Sequence, residues 1–314
     1  MKKKKILVVM GGKSKERQIS LSSGKQCLKA IKKLGYQTSI FDPKKKEFNK
    51  KNIKNPDIIF NALHGAEGED GIAQSYFEYL KIPYTHSGVI SSMLAMNKHL
   101  SKKIFTKNNI KTPNYLMITK KKFSKNKVFF QLKKNKIKLP VVIKPISEGS
   151  SIDVKISQNK KGFLKNIKKL FHKYNELLLE TFIGGKEIQV AVLNNKALGA
   201  IELRPKRKFY DYKAKYTKSA KTDHIMPADL NKKKYNEVLK ISEKAHKLLN
   251  CRGVSRSDFK YYKNHFYILE LNTQPGMTNL SLVPEIAAYK GINFENLVDK
   301  IIKDSSINKW EKNF

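Results

Sequence analysis

The chain has 314 residues, 40% of them hydrophobic, which is enough for two or three domains around a substantial core. Against 26 Asp and Glu stand 65 Lys and Arg, a formal charge of +39; the lysines are spread through almost every segment with no arginine-rich stripe or aromatic-interleaved basic patch, so the charge predicts salt-sensitive adsorption to polyanions and no specific nucleic-acid partner. Cys27 and Cys251 are too few and too isolated for a disulfide framework or a zinc site, and no apolar run reaches membrane-span length, so a cytoplasmic, membrane-free protein is expected.

The opening, MKKKKILVVMGGKSKER, imitates a secretion signal, but its apolar run, Ile6 to Met10, is short and runs into charge. It reads as a first buried strand. A Gly11-Gly12 turn, a helix over about Leu21 to Leu34, strands at Thr38 to Phe41 and Asp57 to Ala62, and a helix over about Ile72 to Leu80 follow. Alternating elements of these lengths predict a Rossmann-like parallel-sheet α/β domain over 1–95, whose working loops, Gly11-Gly12 and His64 to Gly71, lie at strand carboxyl ends. Gly12-Lys13-Ser14 imitates the end of a P-loop, but position 7, where that motif needs its first glycine, is Leu7. Glu16 and Arg17 precede the first helix, where a charged group either reaches a ligand at the loop or simply favours the helix dipole.

A middle unit, 96–183, has strand-like runs at Tyr115 to Ile118, Val141 to Lys144, Val154 to Ile156 and Leu177 to Phe182, with a helix near Gly162 to Tyr174, and reads as a small α+β unit. Between two of these strands lies Ile146-Ser147-Glu148-Gly149-Ser150-Ser151, whose N–H and O–H donors could cover a phosphate or form a plain turn. Lys144, ending the apolar run VVIK, calls for an anionic partner.

The last unit, 184–314, begins with a hairpin, Glu187 to Leu193 and Ala197 to Leu203, around Asn194-Asn195. The polar stretch Arg204 to Asp229 reads as a mobile active-site loop or a long surface loop. A helix over about Lys233 to Leu249, and terminal helices at Pro284 to Tyr289 and Phe294 to Ile302, enclose a second hairpin, VSRSDFKYY and FYILELN, around Lys263-Asn264-His265. If that hairpin is symmetric about Asn264, Asp258 faces Glu270 and Arg256 faces Asn272. Two carboxylates opposed on one sheet face repel unless a cation such as Mg²⁺ sits between them; the alternative is a solvated hairpin with scattered charges.

Six segments in order, GGKSKERQIS (11–20), NALHGAEGEDG (61–71), PVVIKPISEGSS (140–151), FYDYKAKY (209–216), CRGVSRSD (251–258) and LELNTQPGMTNLSLVP (269–284), resemble the D-alanine:D-alanine ligases of the ATP-grasp superfamily. The resemblance covers nearly the whole chain. One departure is Ile152-Asp153, where the family commonly has an apolar residue and then glycine. The resemblance implies a two-part ATP-grasp fold after the N-terminal domain, with ATP and Mg²⁺ (two ions, Mn²⁺ as a substitute) gripped between the last two units. It also implies condensation of two D-alanines through an acylphosphate, for peptidoglycan precursors, by a homodimer.

Residue by residue, the resemblance makes Asp258, Glu270 and Asn272 the magnesium ligands, and Arg256 with the Gly276 N–H the oxyanion site. Otherwise Arg256 is a salt bridge to one of those carboxylates and Gly276 a Pro-Gly turn. Glu16 with His64 receives the first D-alanine; Ser281 and the backbone near Leu282 hold the second. A structural histidine and a helix cap are the plainer readings of His64 and Ser281. Ser150 and Tyr216 join Glu16 in a hydrogen-bonded set. Lys98, Lys144, Ser151 and Lys215 meet the ATP phosphates, Glu180 and Glu187 the adenine and ribose, and Phe182 and Ile183 the purine. A D-alanine:D-lactate ligase, disfavoured by Tyr216 in an intact loop, and another ATP-grasp carboxylate–amine ligase are the competing enzymes; a basic nucleic-acid-binding protein is the rival from another class.

Overall fold

The computed structural model describes residues 4–205, 222–278 and 280–308. Three sheets organise it. The first consists of β1 (Lys5–Val9), β2 (Gln37–Phe41) and β3 (Ile58–Asn61) in the order β2-β1-β3, all parallel. ILVV in β1 and IIF in β3 are continuous apolar runs because these strands are covered on both faces. Ile6, Val8 and Phe60 pack towards α1 (Arg17–Lys33), while Leu7, Val9 and Ile59 pack with Phe77 and Tyr84. A one-turn helix, α2 (Lys50–Ile53), and α3 (Ile72–Tyr79) complete this part.

Two helices that hydropathy does not reveal follow, α4 (Val89–Met96) and α5 (Lys98–Lys107). The buried side of α5 is Lys98, Ser101, Lys102 and Phe105, at helical spacing but mostly polar. Although the expected middle unit begins at 96, Phe105 and Ile110 are buried with the residues of the third sheet.

The second sheet is antiparallel, in the order β4-β7-β5-β6, from β4 (Tyr115–Thr119), β5 (Val141–Pro145), β6 (Lys155–Ser157) and β7 (Glu176–Thr181). On one face lie α6 (Lys125–Lys134) and α7 (Lys160–Phe171), capped by Ser124 and Asn159, with Val128, Leu132, Phe163 and Ile167 closing a separate core.

The third sheet, order β10-β9-β8-β11-β12, is also antiparallel: β8 (Lys186–Leu193), β9 (Lys196–Pro205), β10 (Thr222–Ile225), β11 (Val254–Tyr262) and β12 (His265–Asn272). One face packs on α8 (Lys232–Leu248) with α4 and α5. The other face, through Ala191, Leu193, Ile201 and Leu203, shares a single core with α9 (Leu282–Tyr289), α10 (Phe294–Lys303) and the α1 face of the first sheet. Among the described residues no helix is long and apolar enough to cross a membrane.

Candidate active site

The β11–β12 hairpin reaches its register differently from the symmetric turn the sequence suggests. Lys263 and Asn264 alone form the turn, at φ 46° and 62°, because a two-residue loop with both residues left-handed matches strand twist. Tyr262 therefore faces His265, a register that would carry Asp258 to Leu269. A bulge beside Asp258 and Phe259 takes up Leu269 as an extra residue, so Asp258 faces Glu270 and Arg256 faces Asn272.

The opposed carboxylates each have a cation. Arg256 donates from Nε and Nη2 to Asp258 at 2.7 and 3.1 Å, the salt bridge that was its plainer reading. Lys98 Nζ lies 3.2 Å from Glu270 Oε2 and donates to the Glu148 carbonyl at 2.6 Å. Asn272 Oδ1 accepts from the Gln274 N–H at 2.8 Å.

Two cavities flank this face. The smaller is lined by Glu16, His64, Lys98, Glu148, Ser150, Arg256, Glu270, Asn272, Gly276, Ser281 and Leu282. Glu16 stands at the N-cap of α1, where its buried carboxylate accepts from the Ser150 hydroxyl. Gly149 leaves room for that carboxylate: a Cβ would lie 2.7 Å from Glu16 Oε2 and push it aside. His64 is buried with both ring nitrogens engaged, Nδ1 with Glu69 Oε1 at 2.9 Å and Nε2 with Ser23 Oγ at 3.2 Å. Ser281 occupies the N-cap position of α9 but makes no capping bond; its Oγ instead accepts from the Thr278 N–H at 2.9 Å.

The larger cleft, about 600 Å³, opens between the second and third sheets and takes Lys144, Ser151, Glu180, Phe182, Ile183, Glu187, Asp258 and Glu270 as lining. Lys98, Glu148 and Glu270 line both cavities. Glu180 is buried between Lys102 Nζ at 3.0 Å and Lys144 Nζ at 2.9 Å. Burial works to raise its carboxyl, but the two lysines outweigh that and hold it below its ordinary range. Lys102, fully buried, is pushed down to about 8 by burial despite Glu180. Glu187 pairs with Lys260 at 2.9 Å. Lys215 and Tyr216 lie outside the described residues.

Among the described residues no group of three or more His, Cys, Asp or Glu side chains could hold a metal by itself. Two carboxylates and an amide oxygen on one sheet face are nevertheless hard oxygen donors suited to Mg²⁺, an ion that takes few protein ligands and completes its shell with phosphate and water. Sequence reasoning missed Lys102, Ser23, Glu69, Gln189 and Gln274. Gln189, buried opposite Asp258, has no hydrogen-bond partner at either amide atom among the described residues. Gln274 joins the loops: its amide oxygen accepts from Asn61 Nδ2 at 2.9 Å, and its amide nitrogen donates to the Leu63 carbonyl.

The D-alanine–D-alanine ligase of Pelagibacter ubique is 56% identical to this chain over 306 residues, covering 98% of this chain and 99% of that one. That of Rickettsia felis is 44% identical, covering 97% and 92%. A crystal structure of D-alanine–D-alanine ligase from Bacillus anthracis superposes with a TM-score of 0.86 at 34% identity, covering 96% of this chain and 97% of that one. A structure of the enzyme from the same organism complexed with ATP gives 0.84 at 32%, covering 97% of both. Paired antiparallel sheets around a cation-lined cleft, set on a parallel-sheet domain, are the architecture of an ATP-grasp ligase. Family models described as D-ala D-ala ligase C-terminus and D-ala D-ala ligase N-terminus match residues 104–303 and 39–87. The chain belongs to the D-alanine–D-alanine ligase family.

Proposed function

We propose that the chain joins two D-alanines into D-alanyl-D-alanine, converting ATP to ADP and phosphate. The observation that carries this reading is the meeting of the two cavities at Lys98, Glu148 and Glu270. A nucleotide in the larger cleft would bring its terminal phosphate to the place where an amino-acid carboxylate in the smaller cavity also arrives. An unactivated carboxylate is a poor acyl donor. A carboxylate oxygen of the first D-alanine therefore takes the γ-phosphoryl group and ADP leaves. The amine of the second then attacks the acyl carbon, loses a proton, and phosphate departs.

Glu16, buried and tied to Ser150, is the anionic seat for the first ammonium, with His64 held beside it by Glu69 and Ser23. Ser281 and the backbone at Leu282 receive the second carboxylate. A Cβ on Gly276 would lie 2.8 Å from Ser281 Oγ, so the glycine keeps its N–H and the serine within one small space. Arg256 and the Gly276 N–H stabilise the oxyanion of the tetrahedral intermediate. Lys98, Lys144 and Ser151 meet the phosphates, while Phe182 and Ile183 enclose the purine and Glu180 and Glu187 approach adenine and ribose; the roles that the resemblance gives Lys215 and Tyr216 fall outside the described residues. Asp258, Glu270 and Asn272 would hold two Mg²⁺ ions, replaceable by Mn²⁺, which when bound offset phosphate charge. The expected setting is a cytoplasmic homodimer supplying peptidoglycan synthesis.

Phosphate release from ATP tests the reading. It should require D-alanine, fail with L-alanine, and fall about a hundredfold or more in Asn272→Ala. Equal release with L-alanine, or an ester as the main product when D-lactate competes, would overturn it.

A further inference from the structure

The segment Gly149 to Asp153 holds three non-glycine residues at positive φ, Ser150 at 50°, Ser151 at 59° and Asp153 at 57°. Each is a conformation that L-residues adopt only under constraint. Inside the segment only the Ile152 N–H to Gly149 carbonyl bond, 3.0 Å, and the Val154 N–H to Ser151 carbonyl contact, 3.4 Å, are backbone links. Further constraint comes from outside: Ser150 Oγ donates to Glu16, and one phenol oxygen meets both flanks of the segment. Tyr174 Oη lies 2.9 Å from Glu148 Oε1, just before the segment, and 2.9 Å from Asp153 Oδ2, at its end.

A phenol has one hydrogen, so it donates to one carboxylate at a time. Two lysines offset the remaining charge. Lys15 Nζ is 2.5 Å from Glu148 Oε1 and 5.4 Å from the centre of the Tyr174 ring, and Lys173 Nζ is 3.0 Å from Asp153 Oδ2. Tyr174 itself stands on firm ground: its N–H donates to the carbonyl of Leu170, whose side chain is buried in the core of the second sheet. Burial first, then the bonds to Asp153 and Glu148, push the phenol up, so it keeps its proton. Lys15 also adjoins Glu16, so the same cluster links the segment to the amino-acid cavity.

We propose that Tyr174, donating to Glu148 or Asp153 while Lys15 and Lys173 hold the other carboxylate, is the centre of a positioning latch that pins both ends of the Gly149 to Asp153 segment in the shape that covers the nucleotide phosphates. Asp153 is then more than a tolerated departure from glycine. It exchanges backbone freedom for an anchor, and aspartate is among the few residues besides glycine that accept the left-handed region. The proposal rests on the nucleotide reading of the larger cleft. If the latch raises the fraction of molecules in which the segment is closed, removing it raises the apparent dissociation constant for ATP by the inverse of the fraction left closed, while the chemistry in closed molecules is unchanged.

Tyr174→Phe keeps the ring and its contact with Lys15 but removes the hydroxyl. It should raise KM for ATP about fivefold to tenfold with kcat within about twofold. Asp153→Gly should move KM in the same direction, whereas Asp153→Asn, which keeps an acceptor, should stay within about twofold of the native value. Hydrogen exchange in the nucleotide-free protein gives a readout independent of catalysis: the amides of Ile152 and Val154 should exchange faster in Tyr174→Phe at an unchanged melting temperature. Native exchange together with native KM in Tyr174→Phe would overturn the latch. A native protein that releases no phosphate with D-alanine would instead overturn the functional reading, and the exchange experiment would still decide the latch.

Discussion

Lys102 offers a test of how the larger cleft is held together. Its ammonium is fully buried against Glu180 and is pushed from 10.5 down to about 8, by burial first and by the neighbouring charge of Lys144. Below about pH 8 the lysine is protonated in both folded and unfolded chains. Between about 8 and 10.5 the unfolded chain keeps the proton that the folded one has released. The unfolded state then binds more protons, so stability contributed at this site rises with pH across that window. At about 1.4 kcal/mol per pH unit, the proton-linked gain is about 3 kcal/mol. Lys102→Met cannot show it. Urea unfolding of both proteins at pH 7.5, 8.5, 9.5 and 10.5 isolates the effect, because every other titrating group is common to the pair. The native protein should gain on the variant by about 3 kcal/mol from the lowest to the highest pH. A difference that stays flat would refute the reasoning, and would mean that the ammonium is as well solvated in the folded chain as in the unfolded one.

Three further outcomes are expected. Asp42, bonded by Arg17 and by the Gly12 N–H, has its carboxyl lowered from 3.8 to about 2, so its contribution is present above the first value and lost as pH falls through the second. Asp42→Asn should flatten acid unfolding in that interval, as followed by circular dichroism. Gln189→Leu removes a buried amide with no described partner, and chemical denaturation should show stability rising by about 1 kcal/mol; a loss would mean that water pairs the amide in the native protein. Gly276→Ala pushes on Ser281 Oγ and should lower kcat/KM for D-alanine about tenfold with KM for ATP unchanged, measured by coupled ADP release.

Sequence reasoning worked best where one pattern carries both local structure and pairing. Val141 to Lys144 and Leu177 to Phe182 are apolar enough to read as strands, and both lie in the second sheet. At Asp258 and Glu270 the pairing follows from polar spacing and the polar turn near Asn264 is legible, yet neither its two-residue form nor the bulge at Leu269 that restores the register is announced by residue type. The α5 helix was illegible for a physical reason. Lys98, Ser101 and Lys102 occupy its inward face because Glu270 and Glu180 are there to receive them, and a hydropathy pattern counts such a face as solvent. Partners remote in the chain, such as Gln274 with Asn61 or His64 with Glu69 and Ser23, become visible only once the loops are folded together.

The first and third sheets share one continuous interior through α1, α9 and α10, whereas the second sheet closes over its own. Any widening that admits nucleotide should therefore be carried by the second sheet and its two helices swinging as a flap, since parting the other two would bare Ile6, Val8, Ile201 and Val298 to water. For the same reason a chain shortened at its front would expose the underside of α9 and α10 and aggregate, while a chain relieved of the flap would retain a closed hydrophobic body with no nucleotide clamp.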